Sequence, residues 1–347
     1  MIDYSNCLIQ KLSVHKVGNK TNDENLQLSK TILDTNNNKL QELLLKFFIT
    51  PFSEPEFYAF TFTNEDFNLN PVYNFANQIF NGSSFHLNSI NIAKHLYELS
   101  VHPQIKSGDL FVSYFKNINI DNEMVDAIGI FKSENQQSFL KLDSNDGEFS
   151  IQFEDGINIE KLDKGCLIFN TEKEAGYKVC IVDKANKSAE AQYWKDGFLM
   201  LKPFNDDYHH TKAFMSITKN FVTKQLTEDF EVSRADQIDL LNRSIDYFKT
   251  HDTFEKLDFE NQVFQDEKVI QSFRDFDENF REENDMEANY SFEISNEAVK
   301  KQTKIFKSVL KLDKNFHIYI HGNKDLIEQG IDIDGRKFYK IYFDKET

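Results

Sequence analysis

The chain has 347 residues, 40% of them apolar, and 34 of those are Phe; that is core material for two or three packed domains and excludes wholesale disorder. The net charge of −17 argues against a surface that is basic throughout, because contacts to a polyanion need Lys and Arg. No window reaches the ~18 uninterrupted apolar residues of a membrane-spanning helix.

The first residues, "MIDYSNCLIQKLSVHK", lack the basic-then-apolar layout of a secretion signal. They read as a strand through Leu8, Val14 and Val17. "NNNKLQELLLKFFIT" predicts a helix over 36–49 that stops before Pro51. Asn70-Pro71 is a cap followed by proline at the first helical position, opening "PVYNFANQIF". "NSINIAKHLYELSVH" repeats Ile92, Leu96 and Leu99 at helical spacing and ends at Pro103. From Gly108 to Val182 the texture changes to short β-rich runs: "DLFVSYF", "VDAIGIFK", "SFLKLD", "FSIQFE", "KGCLIFN" and "YKVCIV". Gly, Asn, Asp and Ser part them, and the spacing predicts an antiparallel meander. Cys166 and Cys180 fall inside two of these runs. With Cys7 they are too few and too scattered for a disulfide framework or a zinc knuckle, so buried thiols are expected.

After Phe204 the pattern turns helical. Ser233 with Asp236 forms a capping box, followed by an apolar stripe of Ile238, Leu241, Ile245 and Phe248. Residues 252–299 hold fifteen Asp/Glu against four Lys/Arg, a net of −11 that leaves −6 for the rest of the chain. Phe273, Phe276 and Phe280 recur there at i, i+3, i+7, so the acids are expected on the wet side of an amphipathic helix. "FHIYIHG" and "IDIDGRKFYKIYF" read as strands, the second a hairpin about Asp334-Gly335 with Asp332 opposite Lys337. The class is α+β: an antiparallel meander with flanking helices over 1–230, a helical acidic arm over 231–294 and a small C-terminal α/β unit over 295–347.

"PFNDDYHHTKAFMSITKNFV" (203–222) concentrates the candidate site residues. On a helix at ~100° per residue, His210, Phe214, Ile217 and Phe221 share one arc and should be buried. Lys212 and Lys219 share the opposite arc, Asp206 or Asp207 is a natural N-cap, and adjacent His209 and His210 diverge too far to chelate together. The plain reading is a capped helix with solvated lysines. The functional one is phosphate contact by Lys212 and Lys219 with His209, Lys202 and Lys195. His317 and His321 share a strand face but lie about 13 Å apart, too far for one ion. The inward Phe316, Ile318 and Ile320 leave His317, Tyr319 and His321 as an outward surface able to stack on bases. No Walker loop, GxGxxG, HExxH, GxSxG or CxxC occurs, so no catalytic residue, metal or cofactor is expected. A divalent-metal nuclease built on scattered carboxylates has only carboxylate abundance behind it.

Five stretches resemble, in order, the bacterial 37-kilodalton nucleoid-associated protein family in its Bacteroidetes-like form. They are "HKVGNKTNDENLQLSKTILD" (15–34), "GDLFVSYF" (108–115), "VDAIGIFKSE" (125–134), "YWKDGFLMLKPFNDDYHHTKAFMSITKNFV" (193–222) and "GRKFYKIYF" (335–343). The resemblance implies a cytoplasmic protein of the nucleoid that binds DNA, and RNA by the same chemistry, without strong sequence preference and without enzymatic activity. It fixes no contact residues. The acidic segment over 252–299 supplies the alternative, a module that docks on a DNA-processing protein or mimics DNA toward it. A homodimer is expected of a protein that bridges DNA.

Overall fold

The computed structural model describes residues 2–345 except 54–55, 122, 147, 184–192, 285, 305, 307–308, 313 and 321–325. The chain forms two compact units, Met1–Phe204 and Asn205–Thr347. The α+β class holds, and no described helix is long and apolar enough to cross a membrane.

In the first unit the chain runs β1 (Ile2–Asp3), β2 (Leu8–Val17), α1 (Asn38–Ile49), β3 (Phe57–Phe60), α2 (Pro71–Phe80) and α3 (Phe85–Leu99). It continues as β4 (Gly108–Ile120), β5 (Glu123–Ser133), β6 (Gln136–Asn145), β7 (Glu148–Ile157), β8 (Lys164–Phe169), β9 (Lys178–Asp183) and β10 (Leu201–Pro203). One antiparallel sheet has the order β1-β4-β5-β8-β9-β3-β10, with β2 also paired to β4. The expected meander is therefore present, except that β6 and β7 pair only with each other and leave the sheet as a hairpin.

Strand alternation sorts the core into two layers. Leu110, Val112, Ile128, Ile130, Cys166, Ile168 and Val179 join the cluster that includes α2 and α3, while Phe111, Phe115, Phe131, Leu167, Phe169 and Cys180 join that of α1. Such double burial explains why these strands read as near-continuous apolar runs. Gly129 is required where the rings meet: a Cβ there would fall 2.3 Å from the Phe131 ring. All three cysteines are buried, and burial pushes the Cys7 thiol up to about 12 and the other two higher. Asn70 caps α2 as expected. Its side-chain oxygen accepts from the Val72 and Tyr73 amides, and its Nδ2 donates to the carbonyls of Thr61 and Leu199.

The second unit begins with α4 (Asp207–Asn220), continuing through a wider turn (Phe221–Gln225) into α5 (Leu226–Asp229), then α6 (Arg234–Thr250). Next come β11 (Thr253–Glu255), α7 (Lys256–Val263), α8 (Glu267–Glu283), β12 (Ser291–Glu293) and α9 (Asn296–Thr303). Two hairpins close it: β13 (Val309–Leu312) with β14 (Phe316–Tyr319), and β15 (Ile327–Ile331) with β16 (Lys337–Ile341). Both halves of the Ser233–Asp236 capping box are formed, and Ile238, Leu241, Ile245 and Phe248 are buried.

The acidic segment is not an arm. Phe254, Phe259, Phe264, Phe273 and Phe292 share one core with Phe214 and Phe221 of α4, so the expected divisions at 230/231 and 294/295 fall inside that core. Its acids split as amphipathic packing requires. Glu267, Asp275, Glu278, Glu282 and Glu283 are exposed. Glu260 and Asp277 are buried, held by Arg274 and by Lys256 and Arg281 respectively. The last hairpin turns about Asp334-Gly335, but its register is one residue off the expectation. Asp332 accepts from the Gly335 amide and donates its own amide to Arg336, so Lys337 faces Ile331. A three-residue loop with Gly335 at φ 82° displaces the two-residue one.

Candidate nucleic-acid interface

The five residues expected from the 203–222 pattern and its approach divide between the units. Lys195, in the helical turn Tyr193–Leu199 of the first unit, lies 3.8 Å from Asp196 and 5.0 Å over the Tyr58 ring. Lys202, in β10, pairs with Glu65. The second unit holds the other three on α4, where Asp206 is the N-cap and accepts from the His209 amide at 2.8 Å. Phe214, Ile217 and Phe221 are buried as the helical arc requires, and the half-buried His210 ring lies tilted against Phe292, 5.4 Å between centroids. Burial lowers the His210 pKa below its ordinary value.

Lys212 and Lys219 are half-buried, not fully solvated as the arc argument expects. The reason is packing: α6, α8, β12 and α9 all lie against α4, so the helix keeps no wholly open face. The rings of His209 and His210 are 6.0 Å apart and tilted by 51°.

A second basic group lies further along the same unit. Residues 300–314 carry six lysines and one aspartate, a local net of +5 directly after the −11 segment. On α9, Ala298, Val299 and Gln302 face inward, which turns Lys300 and Lys304 to solvent. Half-buried Lys301 lies 5.4 Å over the Tyr208 ring. The β13–β14 hairpin is fixed from beneath. Leu310 and Ile320 pack on Ile238 of α6, and Asn242 donates to the Ile320 carbonyl at 3.3 Å.

Strand alternation then directs the other face outward. Lys311 stands opposite His317, and Tyr319, 65% exposed, opposite Val309. Lys314 is exposed in the turn. Ile318 and Ile320 face inward as expected; Phe316 is 63% exposed, because it begins the strand beyond the reach of the small core. His321 lies outside the described residues.

Among the described residues no carboxylate comes within ion-pair distance of Lys300, Lys304, Lys311 or Lys314. In contrast Arg336 and Lys340 of the last hairpin pair with Asp334 and Glu328. Unpaired ammonium groups are the ones available to phosphate oxygens, and exposed His and Tyr rings supply stacking surface. Helix geometry at 203–222 gives no hint of this group. The lysine run itself is the signal, and averaging over everything outside 252–299 conceals it. Among the described residues, no three His, Cys, Asp or Glu side chains gather into a metal-holding group.

The family model described as nucleoid-associated protein YejK (NA37) matches residues 13–335 of the chain. No curated protein matches it.

Proposed function

The chain belongs to the NA37 family of nucleoid-associated proteins, and on that premise we propose that it binds DNA with little sequence preference, mainly through phosphate contacts. One observation carries the reading: on α9, its C-terminal end and the β13–β14 hairpin, both packed against α6, Lys300, Lys304, Lys311 and Lys314 are exposed and have no carboxylate partner among the described residues, in a chain whose net charge is −17. Lys300, Lys304, Lys311 and Lys314 contact phosphates, and His317 and Tyr319 stack on bases where the strands part. Lys212, Lys219 and His209 extend the contact along α4. Lys195 and Lys202 add less, each already beside a carboxylate. RNA is held by the same chemistry. The protein works in the cytoplasm on the compacted chromosome, as a homodimer whose two basic faces bridge two duplex segments.

The test is fluorescence anisotropy with two unrelated duplexes. Lys311→Glu with Lys314→Glu weakens both equally. Weakening confined to one sequence contradicts phosphate contact, and an absence of affinity at low salt removes the reading.

The exposed acids of α8 support a second role, docking on a basic DNA-processing protein through residues 252–299. Deleting 252–289 cannot probe it, since Phe254, Phe259, Phe264 and Phe273 would leave the core. Glu278→Lys with Glu282→Lys leaves that core intact and should abolish capture of such a partner; retained capture refutes the role.

A further inference from the structure

Among the described residues no element of its own unit covers the β6–β7 hairpin over most of its length, and all residues of the two strands but the last two are exposed. Its two faces differ. Register places Leu140 opposite Phe153, Leu142 opposite Ile151 and Ser144 opposite Phe149. These five apolar side chains therefore share one face, and each is 68–79% exposed. The reverse face is mostly polar, with Lys141 3.4 Å from Glu154 and Asp143 opposite Ser150, and carries Phe139 opposite Glu154.

A two-stranded hairpin alone is marginally stable in water, and one with five bare Leu, Ile and Phe side chains loses further by leaving them wet. We propose that this face is a dimer interface, covered by the same face of a second copy across a two-fold axis. Three observations select that occupant. The face has no charge in its central rows, and residues 136–157 carry one Lys against five acids, which excludes a nucleic acid. A flat apolar face without charged specificity groups is complementary to itself, as an isologous contact requires, and two such faces stack at the ordinary sheet spacing of ~10 Å. The five side chains expose on the order of 700 Å² per copy, so a pair buries about 1,400 Å², inside the range of stable interfaces. The inference rests on the reading of the protein as a DNA-bridging homodimer and names the surface that joins its halves.

Sedimentation equilibrium of the full chain tests it, with a variant that keeps the hairpin paired. Leu142→Lys with Ile151→Glu replaces an apolar cross-strand pair by an attractive one. The wild-type chain should have twice its 40.7 kDa mass in the micromolar range. The variant should be monomeric, its dimer dissociation constant raised more than about a hundredfold, with its melting temperature and its affinity for a short duplex unchanged. Higher salt should tighten the wild-type dimer, because the flanking acids repel, while it weakens DNA binding. A monomeric wild type overturns the interface, and a variant that stays dimeric overturns this surface while leaving a dimer in place. A wild-type dimer with no affinity for the duplex would refute the DNA reading and leave the interface standing.

Discussion

Replacing Lys300, Lys304, Lys311 and Lys314 together by Gln removes four positive charges without touching the core, since all four side chains are exposed and make no ion pair among the described residues. Each phosphate neutralised contributes about 0.9 to the slope of log affinity against log salt, so four contribute about 3.6. Between about 50 and 200 mM salt that slope alone weakens binding roughly 150-fold. Titrating a fluorescent duplex, short enough to occupy one face, across that range should give a wild-type slope steeper than the variant's by about that amount. The difference should be the same for an A·T-rich and a G·C-rich duplex. Slopes that agree to within about one unit would mean the lysines do not meet phosphates, whatever happens to affinity at a single salt concentration. The cationic face would then have to be sought on α4.

Three further outcomes follow from the first unit. Asn70→Ala strips two amides and two carbonyls of their partner and should cost about 3 kcal/mol in urea unfolding; Asn70→Asp, which keeps the cap, should cost less. Lys132→Ala leaves Glu134, only 4% exposed, with Lys164 3.8 Å away as its remaining cation, and should cost ~3–5 kcal/mol. Lys132→Met with Glu134→Leu should be milder, and equal losses would refute the buried-charge account. His15, buried against Ser89 and His86, has its pKa lowered to about 4 by burial and by the neighbouring His86 ring. A neutral folded imidazole contributes stability that is full above the ordinary value near 6.5 and is lost as pH falls toward 4. Between pH 7 and 5 the loss is about 2 kcal/mol. His15→Gln should flatten that dependence, and an unchanged slope would place the proton uptake elsewhere.

The local signals were strong in this chain because they act within a few residues. Asn70-Pro71 caps α2 through amides two and three positions on, and Ser233 with Asp236 closes a box within one helical turn. The Ile238–Phe248 stripe and the Phe273 series needed only helical periodicity, and apolar runs with alternating direction implied strands. The −11 over 252–299 was equally legible, whereas the six lysines over 300–314 disappeared into the average of the remainder. The caps and the apolar periodicity decided which of these elements form, and the family resemblance lay in five stretches spread along the chain.

Which strands pair, and which charges stay wet, depended on contacts between distant segments. β3, at residues 57–60, is clasped between β9 and β10, more than a hundred positions away, and no local pattern marks it. Six β-rich runs share turn-bounded spacing in sequence, yet four enter the sheet and two leave it, because the sheet's neighbours bury Ile128 and Leu167 while, among the described residues, nothing in the unit covers Leu140 or Phe153. The acidic helices enter a core because Phe214 and Phe221 wait there, and Lys212 loses open solvent to the elements packed on α4. Backbone preference and amphipathic spacing are properties of a segment. Exposure belongs to the packed whole, and with it the choice of lysines that remain available to a ligand.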